Sequence, residues 1–161
     1  MSALRAERGT ARERRRSDDG TAVVEFALVA PVFIVLVFGV ISFGIVFAQN
    51  LALGNGAREA ARSAVVENRT CGQIRTTAKD AANSIAMQGT NVTVSIKRGQ
   101  SAATATNACT GGDSINPCSG SAPGDSIYVR LDFTSRLIIP LALVKDSYPI
   151  SGDGVFRCEF S

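Results

Sequence analysis

From Phe26 to Ala48 the chain runs for 23 residues without a charged side chain, and the next charge is Arg58. A helix of that many residues is roughly 35 Å long, against a hydrocarbon core of about 30 Å. The reading is a membrane-spanning helix with some tilt to spare. Pro31 lies near its start, where a missing N–H does least harm. A cleavable secretory signal is the rival, because Val46-Phe47-Ala48 loosely resembles a small-x-small cleavage site. Such signals use an apolar core of only about 7–15 residues, so the anchor is preferred.

The flanks give the orientation. Arg5, Arg8, Arg12 and the triplet Arg14-Arg15-Arg16 precede the span. Basic residues resist translocation, which places this end in the cytoplasm and everything after about residue 50 outside the inner membrane. Nucleic-acid binding by the basic arm is disfavoured, since Glu7, Glu13, Asp18 and Asp19 are interleaved with it and the net charge is only +3. Cys71, Cys109, Cys118 and Cys158 all fall on the exported side. An even number there predicts two disulfides. Four cysteines permit three pairings, which sequence does not choose between; the expectation is Cys109–Cys118 closing a short polar loop, with Cys71–Cys158 tying the domain's beginning to its end. Zinc is disfavoured, because there is no C-x-x-C pair and no histidine.

Three segments are expected. Residues 1–20 form a charged leader without apolar periodicity, read as disordered. Residues 21–67 form the transmembrane helix and its alanine-rich continuation, with Leu53, Ala57, Ala61 and Val65 at four-residue spacing. Across the span and its continuation, Gly44, Ala48, Ala52, Gly56, Ala60 and Ala64 make a row of small residues, a pattern that lets membrane helices approach closely. The bland explanation is alanine-rich composition. "GNGARE" lacks the strand before it and the third glycine of a dinucleotide loop.

Residues 68–161 read as an α+β domain with an antiparallel sheet. The sequence predicts a helix from Cys71, with Ile74, Ala78, Ala81, Ala82 and Ile85 on one side. Strands follow from the alternation of Val92, Val94 and Ile96, and again of Ile127, Val129, Leu131 and Phe133. Between them, residues 99–125 form a long loop. "LIIPLALV", residues 137–144, is read as a short helix or irregular segment packed on the sheet, "GDG" at 152–154 as a turn, and "VFRCEF" as the last strand.

Glu25 stands at the mouth of the apolar run, five residues after Gly20. The order of basic leader, Gly20, Thr21-Ala22-Val23-Val24-Glu25-Phe26 and apolar helix resembles the processing site of type IV-pilin-like precursors. In those, an aspartic prepilin peptidase cuts after glycine and the glutamate becomes the fifth mature residue. "GTAVVEFALVAPVF", the continuation "ALGNGAREAARSAV" and the ending "GDGVFRCEF" with Arg157 and Glu159 together resemble the TadE family, minor pilin-like components of tight-adherence (Tad) pili. The likeness covers residues 20–66 well and 126–160 loosely.

The resemblance implies a pseudopilin subunit cut between Gly20 and Thr21, with Glu25 and Phe26 as helix-assembly residues. Its implied partners are a prepilin peptidase, other pilin-like subunits, assembly-platform proteins and the membrane of the bacterial envelope. Thr21 departs from the phenylalanine usual at the first mature position of major type IV pilins. No nucleic acid, cofactor or metal is expected. The absence of histidine excludes Ser-His and Cys-His nucleophile systems in their usual forms, so the chain is not read as an enzyme. The alternative function is an uncleaved, single-pass anchored envelope-binding protein.

Overall fold

The computed structural model describes residues 3–66, 68–83, 91–136 and 147–159, with residues 3–19 described as helical backbone. Packing divides the chain into Met1–Ile41 and Ser42–Ser161. The first helix, α1 (Ala3–Ala64), contributes to both.

In the first unit the helix begins earlier than the composition predicts. Residues from Ala3 onward are helical rather than disordered. Alanine, leucine, arginine and glutamate dominate this stretch, and all are strong helix formers. Charge density argued for disorder, and local propensity outweighs it. Pro31 therefore sits inside α1, not near its start, and its ring leaves the carbonyl of Ala27 without the usual donor one turn on. Val23, Phe26, Leu28, Val32, Phe33 and Leu36 are all more than half exposed. Over Gly20–Ala64 the helix is long and apolar enough to cross a membrane.

The second unit is an α+β domain. After α1, Asn68 adopts a left-handed conformation (φ 64°) and turns the chain into α2 (Cys71–Ala82). Among the described residues, three strands longer than two residues follow: β1 (Thr93–Gly99), β3 (Ser126–Arg136) and β4 (Ser147–Arg157). The two-residue β2 (Thr106–Asn107) lies between β1 and β3 in sequence. All pairings are antiparallel, in the order β2-β1-β3-β4. The register sets Ile96 opposite Val129 and Val94 opposite Leu131. Ile127, Val129 and Leu131 are buried on one sheet face, as their period-2 alternation requires.

That sheet face meets the C-terminal part of α1. Leu53, Ala57, Ala60, Ala61 and Ala64 are fully buried there, together with Cys71, Ile74, Ala78 and Ala82 of α2. Ala81, expected on the packed side of α2, is exposed; the buried positions form the narrower stripe 71-74-78-82. Ile85 and "LIIPLALV" lie outside the described residues.

The "GDG" segment is not a turn. It lies inside β4, where Gly154 pairs with Val129, Asp153 with Arg130 and Gly152 with Leu131. A Cβ on Gly152 would stand 2.3 Å from the carbonyl carbon of Leu53, and one on Gly154 would stand 2.2 Å from the carbonyl oxygen of Ala57. The backbone of β4 thus lies directly against the backbone of α1, a distance only glycine permits. Gly56 does the same toward α2, where an added Cβ would meet Ala82 Cβ at 2.8 Å and the Ala78 carbonyl oxygen at 2.9 Å.

These contacts generate a test. Gly154→Ala forces a methyl group onto helix backbone that cannot swing away, and should cost about 1–3 kcal/mol or more. Gly44→Ala, with nothing within 4 Å of the new methyl, should not lower the midpoint and can raise it, since alanine is favoured over glycine inside a helix by up to about 1 kcal/mol. Denaturant unfolding of the full chain in detergent micelles measures both.

Candidate functional site

Two regions carry the residues that the sequence singles out. The first is the segment Gly20-Thr21-Ala22-Val23-Val24-Glu25-Phe26 on α1. Gly20, Thr21 and Glu25 are exposed, and Phe26 is 72% exposed. Nothing stands within 4 Å of where a Cβ on Gly20 would be. Five helical residues place Glu25 about 7.5 Å along the axis from Gly20. The segment is therefore open to another macromolecule, with its only acid at the threshold of the apolar residues.

The row of small residues divides into two parts. Gly56, Ala60 and Ala64 are buried within the domain, Ala52 is half-buried, and Gly44 and Ala48 are exposed. The C-terminal members thus serve the close approach of α1 to α2 and the sheet within one chain.

The second region is the loop between β1 and β3, fastened at several points. Cys71 is bonded to Cys109 and Cys118 to Cys158. Both expected pairings are corrected. The short loop is not closed on itself, because its two cysteines face different elements, the start of α2 and the end of β4. Each is turned by the same local device. The Cys109 N–H donates to Asn107 Oδ1 at 3.0 Å, and the Cys118 N–H donates to Asn116 Oδ1 at 2.9 Å. These are asparagine side chains mimicking a backbone turn.

The start of α2 is held by the same loop. The Cys71 N–H donates to the Ile115 carbonyl at 2.7 Å and the Gly72 N–H to the Asp113 carbonyl at 2.9 Å. Thr70 and Gln73 complete a reciprocal capping box, so the first-turn donors that a helix leaves open are occupied. Arg75 forms an ion pair with Asp113. On the other side, Arg98 Nη1 donates to the Pro117 carbonyl at 3.0 Å and to the Ser119 carbonyl at 2.6 Å. The Cys158 N–H donates to the Asp125 carbonyl at 2.9 Å. A loop this long with little regular structure is ordered because side chains and sulfurs replace the missing ladder. Arg98, Asn107, Asn116 and Asp125 escape a reading based on cysteine count, although the repeated Asn-x-Cys spacing at 107–109 and 116–118 is a visible signal.

The sheet face turned away from the helices is polar. Arg130 Nε donates to Asp132 Oδ1 at 3.0 Å, Arg130 Nη2 donates to Ser151 Oγ at 3.1 Å, and Arg130 Nη1 lies 3.8 Å from Asp153. The hydrogen bond to Asp132, then the charges of Asp132 and Asp153, raise the Arg130 pKa above its ordinary value. Exposed pairs like these contribute little to stability. Among the described residues, no group of three or more His, Cys, Asp or Glu side chains is placed to hold a metal ion.

Peptide mapping under non-reducing conditions should recover Cys71 linked to Cys109 and Cys118 linked to Cys158, with no Cys109–Cys118 peptide. Loops of 38 and 40 residues correspond to about 4 kcal/mol each in the chain-entropy account. Replacing Cys118 and Cys158 together by serine should therefore lower unfolding free energy by about 2–5 kcal/mol.

No curated protein and no solved structure matches the chain. The family model described as TadE-like protein (TadE) matches residues 20–62, from Gly20 through the part of α1 that enters the domain, and the segment that resembles that family in sequence is TadE-like by this match as well.

Proposed function

We propose that this protein is a minor pilin-like structural subunit associated with tight-adherence pili, made as a membrane-anchored precursor and cut between Gly20 and Thr21. The observation that carries the reading is the family match over residues 20–62, which begins at Gly20 itself. The looser likeness over 126–160 lies outside the matched residues and adds no weight.

The chemistry of the segment supports the cut. A peptidase must draw the scissile bond out of a helix, and glycine is destabilising there by roughly 1 kcal/mol relative to alanine. Gly20 carries no side chain to obstruct the approach. Cleavage would remove the basic leader and create an amine on Thr21, with Glu25 just over one turn on. A carboxylate near a helix N-terminus is favoured by about 0.3–1 kcal/mol. In an assembly, the same carboxylate could pair with the amine of a neighbouring subunit. That pairing offsets the roughly 2.5–3.5 kcal/mol that an ionised carboxylate costs at the membrane centre.

Topology follows from charge and sulfur chemistry. Arginines before the span favour a cytoplasmic leader, and two disulfides favour an oxidising, extracytoplasmic side for the domain. The role is structural rather than catalytic. A second reading, an uncleaved anchored binding protein, is favoured by one feature: α1 continues through Gly20 from Ala3, so the bond to be cut lies inside a helix.

Intact mass and N-terminal sequencing separate the two. Co-expression with a prepilin peptidase should give a terminus at Thr21, and Gly20→Val should abolish it. Glu25→Ala should still be cut but be lost from sheared filaments or assembly complexes. An unchanged terminus at residue 1 or 2 in both samples would establish the uncleaved anchor instead.

A further inference from the structure

One exposed stripe of α1 changes character at one level. Gly44, Phe47, Leu51, Asn55, Arg58 and Arg62 follow one another at three- and four-residue spacing, so they form one stripe along the helix. Phe43 flanks it, with its ring centroid 6.3 Å from that of Phe47. Phe43 is 72% exposed, Phe47 55% and Leu51 53%, and Asn55, Arg58 and Arg62 are exposed as well. The opposite side of the same turns, at Ser42, Gln49, Leu53, Ala57, Ala60 and Ala64, is buried. Burial on one side of α1 thus leaves the other apolar up to Leu51; beyond it, Asn55, Arg58 and Arg62 line an open groove with Glu59, Ala81 of α2 and Phe156 of β4, so that end is polar, with two arginines beside one glutamate.

Three large apolar side chains in a row are a poor surface to leave in water. A parallel second copy is a poor partner for the whole stripe, because Arg58 and Arg62 would face their own counterparts, and like charges so placed repel. A bilayer interface matches the order of residues. Leu51 and Arg58 are seven residues apart, about 10 Å along a helix, and the headgroup layer of one leaflet is about 5–8 Å thick. The uncharged stretch Phe26–Ala57 has 32 residues, roughly 48 Å of helix. That is near the full bilayer thickness of about 40–45 Å and well beyond its hydrocarbon core.

We propose that lipid covers this stripe. Phe43, Phe47 and Leu51 contact acyl chains at the distal interface of the bilayer, and Arg58 and Arg62 lie at the level of the lipid phosphates. Because Ser42 and Gln49 are buried at the same level as Phe43 and Phe47, the edge of the domain dips into the interface instead of standing clear of it. This inference relies on the anchored topology proposed above and adds the depth at which the anchor stops.

The chain contains no tryptophan, so an introduced indole reports alone. Phe33→Trp, Phe47→Trp and Leu51→Trp are prepared in the full chain and placed in phosphatidylcholine–phosphatidylglycerol vesicles. The lipids carry bromine either deep or shallow on their acyl chains, and acrylamide is the aqueous quencher. Deep bromine should quench Phe33→Trp most strongly. Shallow bromine should quench Phe47→Trp and Leu51→Trp, with little effect of acrylamide on any of the three. Quenching of Phe47→Trp and Leu51→Trp by acrylamide alone, with Phe33→Trp still quenched by bromine, would overturn the proposal and leave the anchor standing. Shielding of both from either quencher would mean that protein covers the stripe, and would also overturn it. Acrylamide quenching of Phe33→Trp would instead remove the anchor itself. Adding Arg58→Glu and Arg62→Glu to Leu51→Trp should weaken the shallow quenching; unchanged quenching overturns the phosphate contact.

Discussion

The domain depends on the direct contact of two backbones. At Gly152 and Gly154, β4 lies so close to the Leu53–Gly54 and Ala57–Arg58 peptides that a single methyl group could not be accommodated. That approach explains the composition around it. Ala57, Ala60, Ala61 and Ala64 are small because the helix has sheet on one side and α2 on another. Most of the core's bulk comes from Leu53, Ile74, Ile127, Val129 and Leu131. Each contributes roughly 1.5–3 kcal/mol on burial, a modest total for a domain that also orders a long loop, and the two disulfides add to what holds it.

Much of this was legible in the sequence where a single period dominates. Ile127, Val129 and Leu131 announce a half-buried strand because every second residue must face the helices. The apolar helix, the α+β class and the TadE-like character of residues 20–62 were also readable, the last from Gly20, Glu25 and the helix that follows. The failures have specific causes. Two glycines around Asp153 look like a turn, since glycine usually serves backbone freedom; here it serves proximity, and its 152/154 alternation is the strand's own period. The cysteine pairing was misjudged because loop length alone favours the nearest partner, while Asn107 and Asn116 turn the two thiols toward opposite elements. The helical course of the leader was missed because charge density was weighed above the helix propensity of alanine, arginine and glutamate.

The two faces of α1 show how one helix serves two environments. Its alanine and glycine face is consumed in intramolecular packing from Leu53 to Ala64. The other face keeps phenylalanine and leucine up to residue 51 and arginine from residue 58. A row of small residues in sequence therefore does not by itself identify an intermolecular seam, because part of it can be needed to bring a strand against the same helix.

The sulfur connectivity also defines a mechanical path. From Cys71 the covalent route crosses to Cys109, follows the short peptide to Cys118, and crosses again to Cys158. Tension applied between the N-terminal helix and the chain's end would be carried along this shortcut. Residues 72–108 and 119–157, which contain β1 to β4, are enclosed in closed rings and cannot be drawn out. Pulled hard enough to peel β4 from α1, the part of the chain between Cys71 and Cys158 would lengthen only by the nine peptide units between Cys109 and Cys118, and any further extension comes from the segments before Cys71 and after Cys158. Under load, that geometry makes the disulfide-linked part of the domain a nearly inextensible link.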